Sequence, residues 1–119
     1  PGEQPVVAMA TPRGERHALG AMMAGVVAQH DGWRVVSIGA DLPAPQIAAA
    51  AARTGARIVA LSVACQVSAE VEGELADLRQ ALPASVLLVV GGAGAAAMSA
   101  RDGLVLAPDL TRWRSVLRL

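Results

Sequence analysis

The chain has 119 residues, 54% of them hydrophobic, and its ten basic and ten acidic side chains cancel. That length suffices for one domain with a continuous core, and the balanced charge leaves no positive field for direct nucleic-acid contact by this segment. A single cysteine, Cys65, excludes an intrachain disulfide framework and any zinc site of several cysteines, and no apolar run approaches the roughly 20 residues that span a bilayer.

Pro1-Gly2-Glu3-Gln4 has no regular pattern and no signal-peptide character. A soluble, cytoplasmic piece of a longer protein is expected, with further domains upstream. Val6 to Ala10 reads as a buried strand, closed by the loop signal Thr11-Pro12-Arg13-Gly14. From Arg16 to about Asp31, Leu19, Met22, Met23, Val26 and Val27 recur at helical spacing and predict an inward face; Gly32 ends the pattern. Met22 and Met23 are expected in the core, and His30 suits the negative end of the helix dipole. Trp33 to Ile38 is a second strand in which Trp33 packs, followed by the loop Gly39-Ala40-Asp41-Leu42-Pro43 and an alanine-rich helix, Gln46 to Arg53.

Arg57 to Ser62 predicts strand three. Val71, Leu75, Leu78 and Leu82 mark one face of the next helix, with Glu70, Glu74 and Asp77 on a solvated face opposite. Val86 to Val90 is a near-continuous apolar run, as a parallel strand covered on both sides requires, and it ends in Gly91-Gly92. After a small-residue helical stretch, Leu104 to Leu106 forms a fifth strand, and Leu110, Trp113 and Leu117 the face of a last helix. Strands alternating with helices imply a doubly wound, five-stranded parallel sheet of order 2-1-3-4-5, the flavodoxin-like (Rossmann-like) α/β arrangement with helices on both faces. Ligands of such sheets bind beyond the carboxyl ends of the strands.

Three groups of residues fall at that end. The loop after strand one carries Glu15, His17 and Gly20 as Glu-Arg-His-Ala-Leu-Gly. A neutral imidazole is a metal ligand, and a carboxylate that takes its other N–H sets the tautomer; an exposed pair at a helix start is the equally available alternative. Ser62 closes strand three, where a hydroxyl can face a ligand or cap the strand. Gly91-Gly92 admits a bulky ligand or a tight turn. Cys65 reads as a small packing residue.

Together these residues resemble the vitamin B12-binding domains, whose pattern is Asp/Glu-x-His-x-x-Gly, Ser-x-Leu and Gly-Gly; the likeness runs from about Val6 to Leu110 and includes Gly32-Trp33-Arg34-Val35. It implies base-off cobalamin (adenosyl-, methyl- or hydroxocobalamin), its nucleotide tail threaded into the domain and His17 as the lower ligand to cobalt. By the same resemblance Glu15 orients His17, Gly20 lets the first helix pass close to the tail, Ser62 contacts the base, and Gly91 and Gly92 leave room for it. Arg16 and Val63, which adjoin His17 and Ser62, and Ser68, facing the histidine, complete the implied site. Ala64 departs from the family's leucine, and Glu15 from the aspartate of methyl-transfer and mutase members. The glutamate form resembles MerR-type light-responsive regulators and related photosynthesis antirepressors. That implies a non-enzymatic sensory domain in a chain that also carries a helical bundle and possibly a DNA-binding domain, as an oligomer or not. The cofactor domain of a corrinoid methyl carrier or mutase, and a cofactor-free flavodoxin-like interaction domain, are the competing expectations.

Overall fold

The computed structural model describes residues 4–64, 67–98 and 103–118. Five strands, β1 (Val6–Pro12), β2 (Arg34–Leu42), β3 (Ile58–Ser62), β4 (Leu87–Gly91) and β5 (Leu104–Ala107), form one all-parallel sheet in the order β2-β1-β3-β4-β5, as expected. Between them run α1 (Leu19–His30), α2 (Ala44–Thr54), α3 (Ala69–Ala81), a 3-10 segment (Ala93–Ala97) and the final α4 (Leu110–Leu117). The period-2 alternation of the central strands divides the core in two. Ala8, Ala10, Val59, Leu61, Leu88 and Val90 face α2 and α3, whereas Val7, Met9, Ile58, Ala60 and Val89 face α1 and α4.

Local chemistry sets the helix ends. Gly55 leaves α2 in the left-handed region at φ 68°, where a side chain would be strained. Ser68 caps α3 by accepting from the Val71 amide, and Asp109 caps α4 by accepting from the Arg112 amide. Glu74, expected on a solvated face, is half-buried instead: its Oε1 accepts from the Ala44 amide at 2.8 Å and so caps α2 from a neighbouring helix.

The first helix departs most from expectation. It begins at Leu19 rather than Arg16, and Leu19, Met22, Met23 and Val26 are 50–67% exposed. The buried face is Ala21, Gly25 and Ala28. The reason is the separation between helix and sheet: a Cβ on Gly25 would stand 3.3 Å from Val35 Cγ1 and 3.8 Å from Met9 Cγ, so large side chains have no room beneath. Met22 and Met23 are therefore not core residues. In α4, Trp113 and Leu117 are buried as expected but Leu110 is exposed.

Both tryptophans lock α4 in place. Trp113 Nε1 donates to the Ala24 carbonyl (2.9 Å), and Trp33 Nε1 donates to the Leu117 carbonyl (3.1 Å). The Arg114 guanidinium adds a two-point hydrogen bond to Asp31, at 2.9 and 3.1 Å, and this holds the Asp31 carboxyl below the usual carboxylate range. A depressed folded-state value stabilises above the unfolded value, and that contribution is lost as pH falls through the folded one.

Two outcomes are expected. Arg114→Ala returns the Asp31 titration, followed by NMR, toward the ordinary carboxylate range and flattens the acid limb of the stability–pH curve. Met22→Gln and Val26→Gln each shift unfolding free energy by less than about 0.5 kcal/mol in denaturant melts, against about 2–5 kcal/mol for Leu75→Ala.

Candidate functional site

The register of the parallel sheet lines up the strand exits. Ser62 pairs with Gly91, and Gly91 with Ala107, so these three residues lie side by side at one edge. Beyond them the loop after β3 is tied to its neighbours on both sides. The Val63 amide donates to the Gly91 carbonyl (2.9 Å), the Gly94 amide donates to the Val63 carbonyl (2.8 Å), and the Ala64 amide donates to Glu15 Oε1 (2.7 Å).

Glu15 is the centre of this arrangement. It is only 4% exposed, and its Oε2 accepts from the His17 amide at 3.0 Å and lies 2.8 Å from His17 Nδ1. Burying a carboxylate is costly unless N–H groups replace its water, and the two loops supply them. With Nδ1–H given to Glu15, the imidazole lone pair sits on Nε2. The His17 side chain is 69% exposed, so Nε2 is accessible. Among the described residues no group of three or more His, Cys, Asp or Glu side chains could hold a metal ion, and His17 offers a single imidazole. The alternative of an ordinary surface pair does not describe Glu15, and α1 is capped by the Ala18 position without any side chain.

A second set of contacts, not singled out in the sequence, steadies the same loop. Thr11 is fully buried; its hydroxyl donates to the Glu15 carbonyl (2.6 Å) and accepts from the Asp41 amide (2.8 Å). Asp41, at φ 56°, accepts in turn from the Gly14 amide (2.9 Å), and Arg16 Nε lies 3.8 Å from its carboxylate. A threonine leaving a strand carries little signal alone, because its partner is 30 residues away.

Beside this loop lies a largely apolar cavity of about 200 Å³ under α1 and α4, lined among others by Met9, Gly20, Ser62, Gly91, Gly92 and Trp113. Ser62 is 6% exposed, and no described group engages its hydroxyl. A Cβ on Gly20 would stand 2.6 Å from Ser62 Oγ, so glycine is what lets α1 cross the end of β3. Gly92 has φ 90° and a Cβ there would meet the Val63 carbonyl at 2.5 Å, while one on Gly91 would be 3.0 Å from the Ala107 carbonyl. The glycine pair is thus required by neighbouring backbone whether or not a ligand is present. Val63 is buried in the core on the α2 and α3 side of the sheet, and the exposed Ser68 spends its hydroxyl on capping α3 rather than on His17. Cys65 lies outside the described residues.

The model of the B12 binding domain family matches residues 5–106. The chain belongs to that family. Its cofactor is cobalamin. The B12-binding domain is 38% identical over 93 residues to the HTH-type transcriptional repressor CarA of Myxococcus xanthus, a match that covers 76% of this chain but only 32% of the repressor. Among solved structures, it is similar to the Methanosarcina barkeri monomethylamine corrinoid protein, with a TM-score of 0.73 and 19% identity over 95% of this chain and 57% of that one. A response regulator receiver domain of Bacillus halodurans also shares the fold, with a TM-score of 0.63 at 11% identity over 98% and 96% of the two chains. The fold is therefore common to different tasks, and the residues at the strand exits decide which. Among the described residues, no helix is long and apolar enough to cross a membrane.

The residues fit a corrinoid's requirements. The unengaged Ser62 hydroxyl lines a cavity of about 200 Å³, and a cavity of about 150 Å³ already takes a benzene ring, so the space suits a heterocyclic base rather than a whole corrinoid. Glu15→Ala removes the charged acceptor of the part-buried Ala64 amide and is expected to cost about 1–3 kcal/mol in denaturant melts. Gly92→Ala is expected to cost at least about 1–3 kcal/mol, because a positive φ and a backbone clash coincide.

Proposed function

We propose that this chain is the sensory, non-catalytic cobalamin domain of a transcriptional regulator, in which base-off cobalamin binds with His17 Nε2 as lower axial ligand. The 2.8 Å contact between His17 Nδ1 and the buried Glu15 carboxylate carries the reading. Glu15 keeps the proton on Nδ1, leaves the Nε2 lone pair for the metal and, being bonded to the Ala64 amide, resists rotation of the ring. Ser62 and the small residues around it receive the nucleotide base, and Gly20, Gly91 and Gly92 keep that cavity open by their tight backbone packing. Arg16 and Val63 flank the ligand and the base, Arg16 beside Asp41 and Val63 behind the strand exit.

Photolysis of a cobalt–carbon bond is chemistry that an alkylcobalamin supplies when bound. This chain's own part is to bind, orient and exclude competing ligands. Transcriptional regulation, through a DNA-binding domain elsewhere in the whole protein, is supported by the likeness to an HTH-type transcriptional repressor of which this domain spans about a third, and the proposal extends to a light response through a helical bundle because Glu15 stands where the light-responsive regulators it resembles carry glutamate. The second reading, a cofactor domain serving methyl transfer, draws on the fold shared with the monomethylamine corrinoid protein.

The test is to mix the chain in the dark with hydroxocobalamin and adenosylcobalamin, remove free cofactor, and record visible spectra before and after green light. A retained, base-off, histidine-ligated spectrum that His17→Ala abolishes is expected, and a light-driven change separates sensor from carrier. Retention with an unchanged spectrum in His17→Ala would remove the axial role.

A further inference from the structure

The edge strand β2 changes register where it approaches the His17 loop. Val6 to Met9 pair residue for residue with Arg34 to Ser37; β2 then gains one residue before Gly39, the partner of Ala10, and another before Leu42, the partner of Pro12. Bulges of this kind bend a strand and re-aim its groups. Gly39 here has φ 141°, and Asp41, at φ 56°, is the non-glycine residue with a positive φ among the described residues. Such a conformation persists only where its surroundings fix it. The bulged end brings Asp41 against the residues that precede His17. Its Oδ1 accepts from the Gly14 amide (2.9 Å), its amide donates to Thr11 Oγ1 (2.8 Å), and that hydroxyl donates to the Glu15 carbonyl (2.6 Å). Arg16 Nε, at 3.8 Å, is an exposed contact of little weight. The regular ladder from Val6 to Met9 already joins β2 to the sheet, so the bulged end serves the loop rather than the sheet.

We propose that Asp41 and Thr11 are positioning residues for the lower axial ligand, an inference that rests on the reading above that His17 binds cobalt. They act through the main chain on which the Glu15–His17 pair is mounted. The Glu15 carboxylate is anchored at the Ala64 amide, but an anchored side chain on a loose backbone would still pivot and carry the imidazole with it. Thr11 holds the Glu15 carbonyl and Asp41 holds the preceding Gly14 amide, and together they remove that freedom. Supporting hydrogen bonds of this kind lock a ligating side chain in its productive geometry. Loss of one of them weakens histidine ligation roughly threefold to tenfold.

The experiment loads the chain with cyanocobalamin and titrates it with cyanide, which competes with a nitrogen ligand for the lower face of cobalt, following the visible spectrum of the dicyano form. EPR of cob(II)alamin bound to protein labelled with heavy nitrogen first identifies the lower ligand, because a protein nitrogen then splits the cobalt lines into two rather than three. Asp41→Gly removes the carboxylate and suits φ 56°, and Thr11→Val removes the hydroxyl. Each should lower the half-converting cyanide concentration roughly threefold to tenfold. Asp41→Asn keeps the acceptor oxygen and tolerates a positive φ, and should stay within about twofold of the unaltered chain. Leu75→Ala, destabilised in the core, should also stay within about twofold, which separates positioning from a general loss of stability. A midpoint for Asp41→Gly within about twofold of the unaltered chain, or an equal fall in Asp41→Asn or Leu75→Ala, overturns the proposal while the His17 reading stands. Three-line splitting, or none, in the labelled and otherwise unaltered chain overturns that reading and this proposal with it. Where Thr11→Val does not fold, Asp41→Gly, at an exposed position, carries the test.

Discussion

A carboxylate buried between two loops is the constraint on which the rest of the site depends. Glu15 lies at the exit of β1, yet one of its oxygens is held by the Ala64 amide beyond β3. The acid cannot remain charged and buried without such donors. Its position therefore fixes the distance between the two loops and, through its other oxygen, the orientation of His17. Thr11 and Asp41 brace the same loop from the β2 side. An exposed imidazole on a free loop would sample many rotamers, whereas this one is attached at its amide and at one ring nitrogen.

Close packing of α1 is the second consequence of this crowded edge. Gly20 sits against Ser62, and Gly25 against Val35 and Met9, so the helix buries its smallest side chains and turns Leu19, Met22, Met23 and Val26 outward. This inverts the usual amphipathic arrangement. Stability on that side of the sheet comes instead from α4, whose Trp113 and Arg114 grip α1 and whose last carbonyls receive Trp33.

Much of the fold was legible because alternating apolar runs and glycine stops are local signals. The near-continuous Val86–Val90 run announced a covered parallel strand, and Val71, Leu75 and Leu78 announced the inner face of α3, both of which the structure has. Periodicity failed at α1 for a definite reason: it reports which residues share a face, not how near the opposing surface lies. Glu74 was misplaced for a related reason, since its partner, the Ala44 amide, is 30 residues distant.

The sequence by itself determined the strand order, the family pattern and the identity of the residues at the strand exits. Glu15, His17, Ser62 and Gly91-Gly92 were all recognisable from spacing and resemblance. Tertiary structure alone decided that Glu15 is buried and doubly engaged, that Ser62 keeps an unengaged hydroxyl beside a cavity, and that the glycine pair answers to neighbouring backbone. Burial and hydrogen-bond satisfaction are properties of surfaces brought together from distant parts of the chain, and no local pattern of residues specifies how closely those surfaces meet.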